Sequence, residues 1–297
     1  MAGIRIESVG VCSKQRRKKR SSIDLATRAA NECLKESVYE KGDIELLINT
    51  GVYRDEFITE PAIATIIQKA VKINPATHGD KGKKTLAFDI LNGGIGFMNG
   101  CHVAGTMIKS GRFKTALVLT GEIENNAETK NGELLGYAEL GAAIILDRSQ
   151  NPGTGFGKFL FKTFHDHIDS YISHLAQDRG ETYIHYKKED NLEERYLACI
   201  PATVEDLLCK EGLQLGDIDI ILPPQISSDF IAELSRRIGV ARDKLVDLTE
   251  LYPDPFTATM ALTFKYSKEN NLIKRGDKIL FINVGSGIQI GCAIYYC

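Results

Sequence analysis

The sequence predicts a layered α/β fold in which two similar halves are stacked as α-β-α-β-α. A helix that runs into a Gly-Asp-Ile turn and an apolar strand occurs at residues 35–45 and again at residues 210–219. The strand segment Gly141–Ile145 has a counterpart in Gly291–Tyr295. Spacings of about half the chain indicate an internal duplication.

Length and composition fit this arrangement. The 297 residues suffice for an N-terminal half over residues 1–150 and a C-terminal half over residues 151–297. No low-complexity linker divides them, so we expect the halves to share a core. Hydrophobic residues make up 43% of the chain and charged residues 26%, which is ordinary for a globular protein with a sizeable core.

Hydrophobic periodicity and turn residues place the elements of the first half. An apolar row spaced four residues apart, Leu25, Ala29 and Cys33, predicts a packed helix that ends at Gly42-Asp43. The candidates for its N-cap are Ser21, Ser22 and Asp24. The further predicted helices are Pro61–Val71, with proline in the first turn, and Gly96–Lys109. The predicted strands are Ile4–Val11, Ile44–Ile48, Leu86–Ile90, Ala116–Thr120 and Ala142–Leu146.

Charge and cysteine usage exclude several function classes. The net charge of −2 gives no reason to expect binding to nucleic acid. The N-terminus lacks the apolar stretch of a signal peptide, and no later run approaches a membrane-spanning length. The seven cysteines include no CxxC pair, which favours reduced thiols. We therefore expect a soluble, cytoplasmic protein without a membrane partner.

The densest charge run follows the first strand. It comprises Lys14, Arg16, Arg17, Lys18, Lys19 and Arg20 around Gln15. One interpretation is a solvated loop. The other is a docking patch for an acidic partner such as an acyl carrier protein. A nucleic-acid patch is disfavoured, because no aromatic residue interleaves with the charges.

Three segments carry a resemblance to a known family. Residues Phe88–Gly100 resemble the nucleophile-bearing segment of ketoacyl-ACP synthase III and of the acyl-CoA condensing enzymes of olefin biosynthesis, members of the thiolase superfamily. Val284–Gly291 resembles their C-terminal Gly-rich turn, and Asn49–Asp55 followed by Glu60-Pro61 is most similar to the olefin-type branch. The resemblance covers nearly the whole chain and implies the thiolase fold. The loop after the first strand is shorter than in typical members, where it carries part of the CoA-binding surface.

The resemblance also implies three catalytic positions, and this chain departs from the family at each. A cysteine at a helix N-terminus accepts the acyl group, while a histidine and an asparagine stabilise the thioester oxygen of the second substrate. The cysteine position corresponds to Gly94, the histidine position to Pro224, and the asparagine position falls near Asp254. Glycine offers no nucleophile, proline offers no donor, and an ionised aspartate opposes a developing oxyanion. We therefore interpret these positions as vestigial.

Other residues offer little replacement chemistry. Cys101 lies seven residues beyond Gly94 on the same predicted helix, so we interpret it as a core residue. His165, His167 and His174 have no zinc-type spacing with cysteines or carboxylates, so no metal site is predicted. The glycine-rich residues 151–157 lack the ending of a phosphate-binding loop and are interpreted as a turn. No cofactor is predicted.

Glu60 is the one candidate catalytic residue. In the olefin-type enzymes, a glutamate in the matching Arg-Asp…Glu-Pro segment reaches across the dimer interface into the neighbouring active site. Arg54, Asp55, Glu60 and Pro61 keep this pattern, with about two additional residues before Glu60. The resemblance thus implies a carboxylate donated in trans. The alternative is that Glu60 supports a helix start, where a carboxylate suits the helix dipole.

These inferences predict a non-catalytic subunit of a heterodimeric condensing enzyme or acyltransferase in fatty-acyl or secondary-metabolite biosynthesis. Its partner would be a cysteine-containing ketoacyl-synthase III-like paralogue, through which it would meet acyl carrier protein or acyl-CoA indirectly. Two alternatives stay open. One is an active acyltransferase or condensing enzyme with a rebuilt site, and the other is an acyl-binding scaffold homodimer.

Overall fold

The protein is mixed α/β, with nine strands in one large sheet. The computed structural model describes residues 2–14, 21–75, 82 and 84–297. The strands of this part are β1 (Ala2–Ser13), β2 (Leu46–Asn49), β3 (Leu86–Asp89), β4 (Thr115–Gly121), β5 (Leu140–Pro152), β6 (Gly155–Thr163), β7 (Tyr171–Asp178), β8 (Glu181–Lys188), β9 (Ile220–Leu222), β10 (Lys278–Gly285) and β11 (Gln289–Tyr296). The α-helices are α1 (Ser22–Lys35), α2 (Ile63–Val71), α3 (Gly96–Lys109), α4 (Leu192–Glu211), α5 (Ser228–Ile238) and α6 (Thr259–Glu269).

The large sheet has the strand order β3-β2-β4-β5-β1-β6-β11-β10-β9. Strand β2 pairs in parallel with β3 and β4, and β9 pairs in parallel with β10. Strands β1 and β5 form a long antiparallel pair, whereas β1 meets β6 only at Ile4 and Phe156. The sheet thus has two parts that follow the two sequence halves. A division into domains at residue 150 stays a prediction, since the sheet runs across it.

The alternation of side chains along the strands produces five layers. In β5, Ile145 packs in one cluster with α1 and α2, while its neighbour Ile144 packs with α3 and α6. In β10, Phe281 joins that same α3 and α6 cluster, while Leu280 packs with α4 and α5. Helices α3 and α6 therefore lie between the two parts of the sheet. The α-β-α-β-α prediction is confirmed.

Most elements lie where the sequence predicts them, but several of their ends differ, and the largest correction is that α1 ends at Lys35 rather than at Gly42-Asp43. Ser21 caps α1 by accepting the N–H of Asp24 at 3.0 Å. The strand predicted from Ile44 begins at Leu46, because a 3₁₀ turn at Lys41–Asp43 precedes it. The helix predicted from Pro61 begins at Ile63.

Strands β7 and β8 form a separate hairpin that the sequence did not predict. Asn126 anchors it, donating its amide N–H to the carbonyl of Ile184 at 2.8 Å and accepting the N–H of Ile184 at 2.9 Å. Residues Gly153 and Thr154 connect β5 to β6. The turn predicted over residues 151–157 is therefore present, but it is shorter than predicted. No helix in the described part of the chain combines the length and apolarity needed to cross a membrane.

Candidate active site

A cavity of about 420 Å³ lies where the N-terminus of α3, the segment after β9 and the turn before α6 meet. Gly94, Pro224 and Asp254 all line this cavity. The structure therefore brings together the three residues that the sequence singled out. Their role as former catalytic positions stays a prediction.

Gly94 has no room for a side chain. It lies in a 3₁₀ turn, Gly93–Ile95, that leads directly into α3. A Cβ atom on Gly94 would lie 2.5 Å from the carbonyl oxygen of Val284, a backbone atom. The side-chain amide of Asn283 donates to the carbonyl of Gly94 at 3.3 Å and links the same two segments. The N-terminus of the helix is thus closed by neighbouring backbone where a nucleophile would stand.

Pro224 provides no hydrogen-bond donor to the cavity. Its neighbour Gln225 is buried and holds the segment in place. The amide of Gln225 donates to the carbonyls of Pro223 at 3.0 Å and Val246 at 2.9 Å, and its oxygen accepts the N–H of Leu248 at 2.7 Å. The side-chain amide of Gln225 is therefore engaged inside the fold rather than in the cavity.

In the turn before α6, the side chain of Phe256 covers Gly94. Its φ angle of 50° is in the left-handed region, which a bulky residue rarely adopts. The N–H of Phe256 donates to the Asp254 carboxylate at 2.8 Å, and two ring carbons lie 3.7 Å from the Cβ position of Gly94. Burial raises the pKa of Asp254 to about 6. Sequence reasoning missed Phe256, because nothing in the chain's pattern signals its backbone conformation.

Glu122 is a buried carboxylate beneath this turn that sequence reasoning also missed. It accepts the N–H groups of Val52 at 2.9 Å and Tyr53 at 2.8 Å, and the hydroxyl of Thr257 at 2.7 Å. Burial raises the pKa of Glu122 to about 7. The carboxylate joins the loop after β2 to the turn before α6.

Comparisons with known proteins agree with this geometry. Residues 208–297 match the family model for the C-terminal part of 3-oxoacyl-[acyl-carrier-protein] synthase III. The chain is 26% identical to beta-ketoacyl-[acyl-carrier-protein] synthase III of Clostridium novyi, an alignment that covers 96% of this chain and 87% of the relative. It is 27% identical to the enzyme of the same name from Paramagnetospirillum magneticum, over 92% and 83%.

Solved structures show the same fold. OleA of Xanthomonas campestris, solved with bound lauric acid and lauroyl-CoA, superposes with a TM-score of 0.83 at 18% identity over 99% of each chain. The 3-oxoacyl-[acyl-carrier-protein] synthase III of Aquifex aeolicus superposes with a TM-score of 0.80 at 20% identity, over 99% of this chain and 100% of that one. Residues 208–297 thus match the 3-oxoacyl-[acyl-carrier-protein] synthase III family, and nearly the whole chain is similar to ketoacyl-synthase III proteins in sequence and has the fold of the solved structures.

Glu60 of this ketoacyl-synthase III-like chain is exposed and does not line the cavity. The start of α2 is bound by Asp89, whose carboxylate accepts the N–H groups of Ile63 at 2.9 Å and Ala64 at 2.8 Å. The carboxylate that caps α2 thus comes from β3, and the helix-start interpretation of Glu60 stays a prediction.

The two charged residues before Glu60 have structural partners. Arg54 forms an ion pair with Asp89 at 3.0 Å, with both side chains 12% exposed. Asp55 binds the N-terminus of α1 by accepting the Ser21 hydroxyl and the Ser22 N–H, each at 2.5 Å. The loop that carries Glu60 is thus fixed at both α1 and β3.

The remaining candidates are placed as follows. Cys101 is fully buried, as predicted, and burial raises its thiol pKa. No group of three metal-type ligands occurs in the described residues, and the ring of His174 packs against His185 instead. Lys14 pairs with Glu139 at 3.0 Å, and residues 15–20 of the basic run lie outside the described residues.

Proposed function

We propose that this chain is the non-catalytic subunit of a heterodimeric ketoacyl-synthase III-like condensing enzyme or acyltransferase. The covalent chemistry belongs to a cysteine-containing paralogue. The observation that carries the proposal is the closure at Gly94, where any Cβ atom meets the Val284 carbonyl at 2.5 Å. A ketoacyl-synthase III-like site without a nucleophile has no acceptor for the acyl group.

The other two positions support the same interpretation. Condensation needs donors aimed at a developing oxyanion, and the loss of one such donor costs roughly a hundred- to a thousand-fold in rate. Pro224 has neither a side-chain donor nor an N–H. Asp254 has an acceptor where a donor is needed, and Phe256 is purely apolar. Three groups of the cavity lining thus lack the chemistry that condensation needs at these positions.

The free edge of the sheet supports association with a second thiolase-fold chain. Within the described residues, β3 is hydrogen-bonded to a strand on one side only. Leu86 at its start is 47% exposed and Leu91 just beyond its end is 53% exposed. An unpaired apolar edge is a site for another chain to add a strand. Strand β3 leads directly to Gly94 and α3, so a partner bound here lies close to the cavity.

Glu60 lies at this same edge. It precedes Ile63 by three residues, and the N–H of Ile63 lies 2.9 Å from the Asp89 carboxylate of β3. An exposed carboxylate on a fixed loop beside the free strand is placed to reach a partner chain. We infer that Glu60 serves the partner's active site.

The acyl donor reaches this chain through the partner. The relatives in sequence are named beta-ketoacyl-[acyl-carrier-protein] synthase III, and the structural neighbour OleA was solved with lauroyl-CoA. We propose that acyl carrier protein or acyl-CoA loads the paralogue's cysteine, and that the basic run at 14–20 contributes to docking of the carrier.

The test is co-expression with a cysteine-containing paralogue, followed by size determination and intact-mass analysis after incubation with acyl-CoA. We expect a mixed complex in which the acyl group is on the paralogue alone. Stoichiometric acylation or turnover by the isolated chain would refute the proposal and support the rebuilt-site alternative. A stable homodimer that ignores every paralogue would support the scaffold alternative.

A further inference from the structure

The walls of the cavity beside Gly94 include five aromatic rings among their aliphatic residues. Tyr137 stacks on Phe256 with ring centroids 4.2 Å apart, and both rings line the cavity. Tyr171 and Tyr186 form a second stacked pair at 6.0 Å, also in the lining. Tyr196 contributes a further phenol.

These rings are held in place by their own hydroxyl groups. The hydroxyls of Tyr53 and Tyr171 are hydrogen-bonded at 3.2 Å, and the hydroxyl of Tyr186 donates to the carbonyl of Leu134 at 3.1 Å. The ring of Tyr53 in turn lies 5.6 Å from that of Tyr137 in a stacked arrangement. The cavity is therefore pre-organised, and its aromatic faces do not have to be ordered when a guest binds.

The same cavity has an excess of negative charge. Asp254 and Glu193 are carboxylates in the lining, and Lys188 is the cationic residue there. Asp254 accepts a hydrogen bond from the Phe256 N–H, and it forms no ion pair with any residue that the structure describes. Lys188 is exposed. Burial raises the pKa of Asp254, and the charge of Lys188 lowers it without forming an ion pair, so a cationic guest would give this half-buried carboxylate the direct partner that the described residues do not provide.

We propose that this cavity binds a small primary amine, with its ammonium group on the Asp254 carboxylate and its body on the Tyr137–Phe256 stack. A charge-assisted hydrogen bond and a cation–π contact act on the same group in this arrangement. The inference deepens the proposed function and rests on it in one respect, namely that the cavity is free of a covalent acyl group. The non-catalytic subunit then recognises an amine-bearing molecule, and acyl chains are left to the partner.

Three probes of matched size and different charge test this on the isolated chain by titration calorimetry. They are 2-phenylethylammonium, the neutral 2-phenylethanol and the anionic 3-phenylpropionate. We expect the ammonium probe to bind at least about tenfold more tightly than the other two. Asp254→Asn keeps an oxygen for the Phe256 N–H and should weaken the ammonium probe about tenfold, with 2-phenylethanol unaffected. The matched control is Asp243→Asn, an exposed aspartate in a 3₁₀ turn outside the cavity.

Three results would overturn the inference. They are equal or tighter binding of 3-phenylpropionate, unchanged ammonium affinity in Asp254→Asn, and no ammonium binding at millimolar concentration. The comparison of probes uses the natural chain, so a misfolded variant does not protect the inference from refutation. Acylation of the isolated chain would refute the proposed function and leave the calorimetry unaffected, so the two failures are distinguishable.

Discussion

Restoring the family's cysteine by Gly94→Cys should produce an unstable protein rather than an enzyme. The added Cβ would lie 2.5 Å from the Val284 carbonyl oxygen, whereas ordinary contacts begin at 3.4 Å. Two backbone segments must therefore separate by about 0.9 Å, against the Asn283 amide that links them. Overpacking of this kind costs about 1–3 kcal/mol, and the backbone origin of the clash favours the upper end. In a chain of this size, that lowers Tm by roughly 2–5 °C.

Thermal unfolding of Gly94→Ala and Gly94→Cys measures the loss of stability. Intact-mass analysis after incubation with acyl-CoA shows whether the new thiol is acylated. The control is Gly105→Ala on the same helix, where the nearest atom to a new Cβ is a side-chain carbon of Ile4 at 3.6 Å. Glycine in a helix interior is unfavourable, so this control should be neutral or stabilising by up to about 1 kcal/mol. The reasoning fails if Gly94→Ala is as stable as Gly105→Ala, or if the Gly94→Cys thiol is acylated stoichiometrically.

Three further outcomes are expected. In the reconstituted heterodimer, Glu60→Gln should lower turnover at least about tenfold while the heterodimer still assembles. The control Glu205→Gln, at an exposed position on α4, should leave turnover unchanged. Equal turnover of the two variants would show that Glu60 takes no part in the chemistry. Burial raises the pKa of Glu122 from 4.5 to about 7 and that of Asp254 from 3.8 to about 6, so the folded state binds more protons in this window. Stability in urea should therefore fall as pH rises from about 4 to 7, and a slope that survives Glu122→Gln with Asp254→Asn contradicts the assignment. Asp89→Asn should lower the free energy of unfolding by about 3 kcal/mol, because it weakens both the ion pair with Arg54 and the cap of α2. It should also speed hydrogen exchange at the start of α2. Unchanged exchange there would refute the capping role.

The layers and several boundaries were predictable because their signals are local. The spacing of Leu25, Ala29 and Cys33 placed α1, and Ser21 caps it as one of the predicted candidates. The predicted helix Gly96–Lys109 is α3 with the same bounds. Each of these elements can be recognised from the spacing of its hydrophobic residues or from its capping residues, which lie within about four residues of one another.

The parts that were missed depend on contacts between distant segments. Helix α2 begins at Ile63 because Asp89, 26 residues later, binds its first N–H groups. Glu122 is an acidic residue whose partners lie in two other loops, and nothing in its neighbourhood indicates burial. The left-handed backbone of Phe256 likewise follows from the fold around it. The family resemblance selected three residues that line one cavity, but it did not indicate which neighbour covers Gly94.

The carbonyl of Val284 also bears on the history of the chain. A thiol lost by point mutation alone could return by the reverse mutation, because the space it occupied would still be there. If a thiol once stood at residue 94, its space is now closed by main chain from a distant strand, and Phe256 adds a ring from a third segment. A reverse mutation would require both segments to move away first, and neither movement is of use before the thiol is present. We therefore expect related chains with this backbone to diverge at all three positions without regaining a nucleophile.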